Sequence, residues 1–168
     1  SESDKRVEVF DSESDIFVYD IEQNELFTNP AISIKENFEV AQSFSADGKT
    51  LFFCSAIGKK MPDEYNQVKY SLCMINFDPD SAKITGIVDT LISANTTGKS
   101  VSFPRISPDG RFLLFSMADY GYFHIWHREA DLYLMNLADR TYFPLTGLNS
   151  PEADSYHSWS SNGHWIVT

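Results

Sequence analysis

Ile106-Ser107-Pro108-Asp109-Gly110-Arg111-Phe112-Leu113-Leu114-Phe115 places an Asp-Gly pair between two apolar runs. Asp-Gly accepts the positive φ angles of a tight hairpin, so the stretch predicts two antiparallel strands joined by a short turn. The arrangement recurs at Phe44-Ser45-Ala46-Asp47-Gly48 and, with Asn for Asp, at Trp159-Ser160-Ser161-Asn162-Gly163. The three glycines stand 62 and 53 residues apart. A four-stranded propeller blade occupies roughly 40 to 45 residues, so each unit has room for a blade and a long loop.

Working outward from the turns gives a four-part unit. A strand leads in (Glu39 to Phe44, Val101 to Ile106, Ser155 to Trp159), and a nearly continuous apolar run leads out (Thr50 to Cys54, Phe112 to Ser116, Trp165 to Val167). Continuous runs of this kind imply burial on both faces, as when blades pack together. A third strand follows a variable loop: Asp15 to Ile21, Ser71 to Phe77 and Asp131 to Leu137, with a polar residue (Asp20, Asn76, Asn136) before the last apolar one. A fourth strand such as Thr141 to Thr146 carries Pro144, which suits an outer edge. No segment keeps a 3.6-residue period, so little helix is expected. The expected fold is an all-β propeller of four-stranded antiparallel blades, with approximate blades at 15–38 (partial), 39–92, 99–146 and 155–168 (partial). A closed ring would need roughly 200 residues or more at this repeat length, so the reading is a partial propeller. The apolar run at the C-terminus stops in mid-blade, and its unpaired edge predicts self-association.

Ser107-Pro108-Asp109-Gly110-Arg111-Phe112-Leu113-Leu114-Phe115 followed by Asp131-Leu132-Tyr133-Leu134-Met135-Asn136-Leu137 resembles the repeat of TolB-type, WD-repeat-like β-propellers. The third turn, with Ser-Asn in place of Pro-Asp, departs from it. The same repeat is found in periplasmic scaffold proteins, in domains that gate prolyl oligopeptidase-like enzymes and in oligogalacturonate lyase-like enzymes. Phe123-His124-Ile125-Trp126-His127, with Ser155 to Ser160, is similar to TolB-like proteins of the Gram-negative envelope. The resemblance therefore implies a periplasmic or envelope location and no particular reaction.

The net charge of −11 argues against nucleic acid, which needs a clustered cationic footprint. No apolar stretch approaches the roughly 20 residues of a membrane span, and Ser1 to Arg6 lacks the basic-then-apolar order of a leader. Cys54 and Cys73 lie in strands without metal-type spacing and are expected to be buried free thiols. Asp78-Pro79-Asp80 lacks the later ligands of a calcium loop and is expected to be a turn. Ser93 to Ser100 misses the first glycine of a phosphate loop and is expected to be an ordinary loop. There is no Gly-x-Ser-x-Gly elbow and no His-Glu-x-x-His. Trp159 and Trp165 are expected in the core.

Function is sought on the long loops, Ser55 to Tyr70 and Met117 to Ala130, which should share one face with Ser93 to Ser100 and Gly147 to Asp154. The second loop concentrates Tyr120, Tyr122, His124, Trp126, His127 and Arg128, residue types that anchor protein interfaces or stack on sugar rings. Arg105, Tyr156 and His157 flank the innermost strands, where His157 with Gln42 could face a central channel and hold a divalent cation. His124 and His127 make a poor metal pair in a loop without helical pattern. No cofactor is expected. The leading expectation is a non-enzymatic scaffold that binds a protein or glycan of the cell envelope. The alternatives are a metal-assisted polysaccharide lyase or hydrolase using His157, Gln42 and Arg105, and the gating propeller of a larger hydrolase.

Overall fold

The structure, a computed structural model, describes residues 8–168; the leader reading of Ser1 to Arg6 lies outside them. Twelve strands are assigned among the described residues, in four antiparallel sheets. β1 (Val18–Asp20) pairs with β2 (Glu25–Phe27). β3 (Asn37–Phe44), β4 (Thr50–Ile57), β5 (Ser71–Asp78) and β6 (Lys83–Ile92) form a four-stranded sheet in chain order. β7 (Ser100–Ile106), β8 (Phe112–Ala118), β9 (Asp131–Asn136) and β10 (Tyr142–Pro144) form a second. β11 (Ser158–Trp159) and β12 (Ile166–Val167) close the chain as a two-stranded ribbon.

The three turns are built alike. In each, the serine hydroxyl donates to the acid or amide two residues on: Ser45 to Asp47 at 2.6 Å, Ser107 to Asp109 at 2.6 Å, Ser160 to Asn162 at 2.7 Å. That oxygen then accepts the backbone N–H of Lys49, Arg111 or His164, each at 3.1 Å. Asn162 supplies the same acceptor as the two aspartates, so the third turn keeps the geometry despite its different residues. Gly48, Gly110 and Gly163 sit at φ of 70°, 73° and 71°, where a side chain is strained.

A second repeated device lies seven residues upstream of each glycine. Ala41, Phe103 and Tyr156 have φ of 56°, 52° and 61°. In β3 and β7 this residue sits in a bulge that shifts the pairing with the next strand. A left-handed Phe or Tyr is costly, and its recurrence at one register shows that the bend belongs to the repeat.

β4 is buried on both sides, as its continuous apolar run requires. Phe52, Cys54 and Ala56 face a core shared with Val101, Leu113 and Phe115 of the neighbouring sheet. Leu51 and Phe53 face the opposite way, with Cys73 and Ile75, onto Ile16 and Ile32. The cysteines therefore project from opposite faces and cannot bridge. Both are buried and free, and burial pushes both thiols up, Cys73 to about 11.

Four expectations are corrected. Asn76 does not close its strand as Asp20 and Asn136 do. β5 runs two residues further, and Asp78 accepts the turn N–H of Asp80, as Asp20 accepts Glu22 and Asn136 accepts Ala138. Ser93 to Ser100 is more than a loop, because Ala94–Thr97 forms one helical turn (α1) capped by Gly98 at φ 69°. Asp15 to Ile21 is strand only at Val18–Asp20. Trp165 is exposed rather than core, while Trp159 is half-buried and donates its indole N–H to the Arg105 carbonyl at 3.0 Å.

Candidate functional site at the loop end

The connections opposite the Asp-Gly turns are tied into one surface. Gly121 N–H donates to the Val68 carbonyl at 2.8 Å, joining the two long loops. Lys69 Nζ donates to the Gly98 carbonyl at 2.5 Å, and Lys99 pairs with Asp119 at 2.6 Å, so the α1 segment touches both. Asp154 N–H donates to the Ala130 carbonyl at 2.8 Å, and Arg128 reaches Glu152 at 2.9 Å, which adds the segment after β10.

His124 anchors this surface from below. It lies in a single 3-10 turn, His124–Trp126, and is 0% exposed. Nε2 faces the Gly121 carbonyl at 3.1 Å, and a carbonyl can only accept, so the proton resides on Nε2. Nδ1 must then accept from the Ser116 hydroxyl at 2.8 Å. Both ring nitrogens are committed, and burial pulls the imidazole down to about 3, with His127 adding to the effect. Ser100, whose hydroxyl also donates to Gly121 and accepts from the Tyr70 N–H at 2.9 Å, completes the mooring.

From this anchor the loop divides. Tyr120, Tyr122 and His127 turn toward the start of the chain. The Tyr120 hydroxyl donates to Glu8 at 2.9 Å, Phe10 lies 6.2 Å from Tyr65, and Tyr122 lines one recess with Val9, Phe10 and Asp11. Tyr120 packs edge-on against His127 at 4.6 Å, and His127 Nδ1 meets Glu129 at 3.1 Å. Trp126 and Ile125 point outward instead, Trp126 at 55% exposure, with Arg128 exposed beside them.

The remaining candidates sit on the inner strands. Phe103 packs edge-on between Phe123 at 6.5 Å and Tyr156 at 6.3 Å, and Tyr156 is 72% exposed. Arg105 is half-buried, with Nη1 3.4 Å from the Pro104 carbonyl. His157 is buried and donates Nε2–H to the Phe103 carbonyl at 2.8 Å, while its Nδ1 is buried without a partner. Burial lowers it to about 4. Gln42 is exposed on β3. Among the described residues, no group of three or more His, Cys, Asp or Glu is close enough to hold a metal.

Sequence reading missed several contributors. Ser100 and Ser116 look like ordinary strand residues, and only their buried, inward positions give them their role. Asn149 extends the sheet by side chain, accepting the Leu132 N–H at 2.9 Å and donating to its carbonyl at 3.2 Å. Glu39 is a carboxylate 3% exposed on β3. A lone Glu inside an apolar strand run was the available signal, since acids are rarely fully buried.

No protein-family description matches the chain, and no curated protein matches it. Among solved structures, the chain is similar to one provisionally assigned as TolB from Agrobacterium tumefaciens, with a TM-score of 0.53 at 17% identity. The match covers 78% of this chain and 40% of that one, so the chain spans well under half the length of the structure it matches. At this identity the likeness carries the fold: the four-stranded antiparallel sheets are blades of a TolB-like β-propeller.

Proposed function

We propose that the chain is a non-enzymatic binding module of the cell envelope, which holds a protein or glycan partner against the Trp126 to Arg128 end of its loop surface. The observation that carries this reading is an outward-facing Trp126 at 55% exposure, next in the chain but one to a fully buried, doubly bonded His124. An aromatic side chain held on a moored turn loses little freedom on binding, which is the property of an interface anchor. Arg128 contributes a cation on an otherwise acidic chain, and its ion pair with Glu152 is solvent-exposed and easily exchanged for a partner's acceptor. Tyr156 and Phe123 extend the aromatic surface through Phe103. In this reading Tyr120, Tyr122 and His127 shape the adjoining edge, and His124 and His157 hold position without touching the partner.

The test is affinity capture from envelope extract on the immobilised chain, with Trp126→Ala/Arg128→Ala as the paired control. The double variant should retain the folded β signature and lose at least ~10-fold of the captured partner. Equal capture by both proteins would remove this surface from the reading.

A further inference from the structure

At the turn end, the two four-stranded sheets β3–β6 and β7–β10 wall an open groove of about 630 Å³. The first and last described residues lie at the opposite end, where Glu8 meets Tyr120 and Thr168 meets the Ser155 carbonyl. The floor is apolar: Phe52 is buried beneath it, and Met74, Leu91, Ile106 and Leu137 are half-buried along it.

A single difference between the repeated turns opens this groove. Between the second sheet and the β11–β12 ribbon, successive turns touch, since a Cβ on Gly163 would lie 3.5 Å from Pro108 Cδ. Ala46 holds the Pro108 position in the first turn, and a Cβ on Gly110 would meet nothing within 4 Å. A methyl group where the next turn has a pyrrolidine ring leaves these two turns apart. Ala46 and Gly110 both line the space between them.

The rim carries Asp47, Asp109 and Arg140. Asp109 Oδ2 is taken by the Arg111 guanidinium at 2.7 Å, and Arg140 is held on Asp89 by two bonds, at 3.1 and 2.6 Å. Asp47 differs. Its Oδ1 serves the turn, while Oδ2 has no donor among the described residues. The Ser45 hydroxyl and the Lys49 N–H hold this carboxyl below the usual carboxylate range, so it is ionised at neutral pH. The groove thus sets an uncompensated negative charge above an apolar floor, on a chain of net charge −11.

We infer that this groove docks an extended segment of a basic partner protein, seating a leucine-sized side chain on the Phe52, Leu91 and Leu137 floor and an adjacent lysine or arginine against Asp47. Charge complementarity selects this occupant, because an acidic chain draws cationic segments and repels anionic ones. With Arg140 spent on Asp89, an acidic ligand finds no unpaired cation on the rim among the described residues. A small amine would satisfy Asp47 and leave the floor wet, and a wholly apolar ligand would leave Asp47 unused. Trp126 lies at the other end of the blades, so this reading and the loop-surface reading stand or fall independently.

The probes are acetylated, amidated hexapeptides of Gly and Ser that carry one Leu or Phe and one Lys or Arg at neighbouring positions. Matched sets replace the cation by Glu or the apolar residue by Ser. Ligand-observed NMR against the full chain should show saturable binding of at least one basic–apolar peptide below about 1 mM. Two variants borrow residues that the repeat already uses. Ala46→Pro copies Pro108 and should close the groove, cutting binding by about tenfold or more with a melting temperature no lower than the parent's. Asp47→Asn copies Asn162, keeps the turn's acceptor, and should weaken binding about threefold. The inference is overturned if no basic–apolar peptide binds the parent, if the Glu or Ser sets bind equally well, or if either variant binds as the parent does. Trp126→Ala/Arg128→Ala should leave peptide binding unchanged; a parallel loss would assign the peptide to the loop surface and overturn the groove.

Discussion

The two ends of the four-stranded blades are organised differently. At the turn end, three copies separated by more than fifty residues repeat the same serine, acid or amide, and glycine contacts to within 0.1 Å. At the loop end, the β4–β5 and β8–β9 connections each carry one 3-10 turn, Tyr65–Gln67 and His124–Trp126, but are moored by unlike devices: a buried His–Ser pair in the second, and contacts from neighbouring segments in the first. Short-range hydrogen bonds between residues two to five apart can be copied from blade to blade without reference to the surroundings. Long loops must find partners elsewhere in the fold, so each is solved once and can diverge. That freedom is what suits the loop end to the recognition role proposed for it.

The comparison is broken most directly at His124. His124→Ala empties a fully buried site and leaves the Ser116 hydroxyl only the Ser102 carbonyl, at 3.3 Å, and the Gly121 carbonyl only the Ser100 hydroxyl. It should cost about 3–5 kcal/mol by urea denaturation, more than any single turn substitution. A cost below that of Gly110→Ala would mean that the loop is not moored through this ring.

Acid should separate the two ends next. His124 and His157 are held near 3 and 4, below the unfolded value of about 6.5, so the stability they confer is complete above pH 6.5 and is lost as pH falls toward those values. Each should contribute a slope of about 1.4 kcal/mol per pH unit within its window. Asp109, lowered to about 2 by Ser107 and the Arg111 N–H, acts only below about pH 4. Denaturation midpoints between pH 7 and 5 should therefore decline in the parent and decline less in a His157→Gln variant. A flat profile above pH 5 would contradict the buried neutral imidazoles.

Gly48→Ala and Gly110→Ala should each cost about 1 kcal/mol and agree with one another, because an added Cβ meets nothing within 4 Å at either site and only the positive φ is penalised. Unequal costs would show that the two turns differ in more than sequence. The smallest effect is expected for Asn162→Asp, within about 0.5 kcal/mol at pH 7, since the same oxygen accepts the same N–H groups. Its signature would be a new acid-sensitive step below about pH 4 in the thermal midpoint.

Much of this was legible in the sequence, for identifiable reasons. Asp-Gly and Asn-Gly report their turn geometry locally, and the double-sided burial of β4 and β8 follows from their unbroken apolar runs. Pro144 on an edge strand follows from its missing N–H. The miscount at Asn76 arose because a two-residue extension preserves strand alternation, so both registers read equally well. Alternation with polar neighbours points Trp165 to the core, but among the described residues β12 pairs only with β11 and leaves its indole exposed. At the loop end, residue type identified an aromatic, cationic cluster but could not divide it. His124 buried, Trp126 bare and Tyr120 engaged by Glu8 depend on contacts that cross as many as 112 positions.

By itself the sequence determined the strand order, the three turns and the acidic character of the chain, because each rests on interactions between near neighbours or on composition. The tertiary structure alone decided which loop side chains remain exposed, why Cys54 and Cys73 stay apart, and that Glu39 carries a buried oxygen with no donor among the described residues. Those outcomes depend on which faces of separate sheets come together, and burial of a polar atom is a property of everything packed around it.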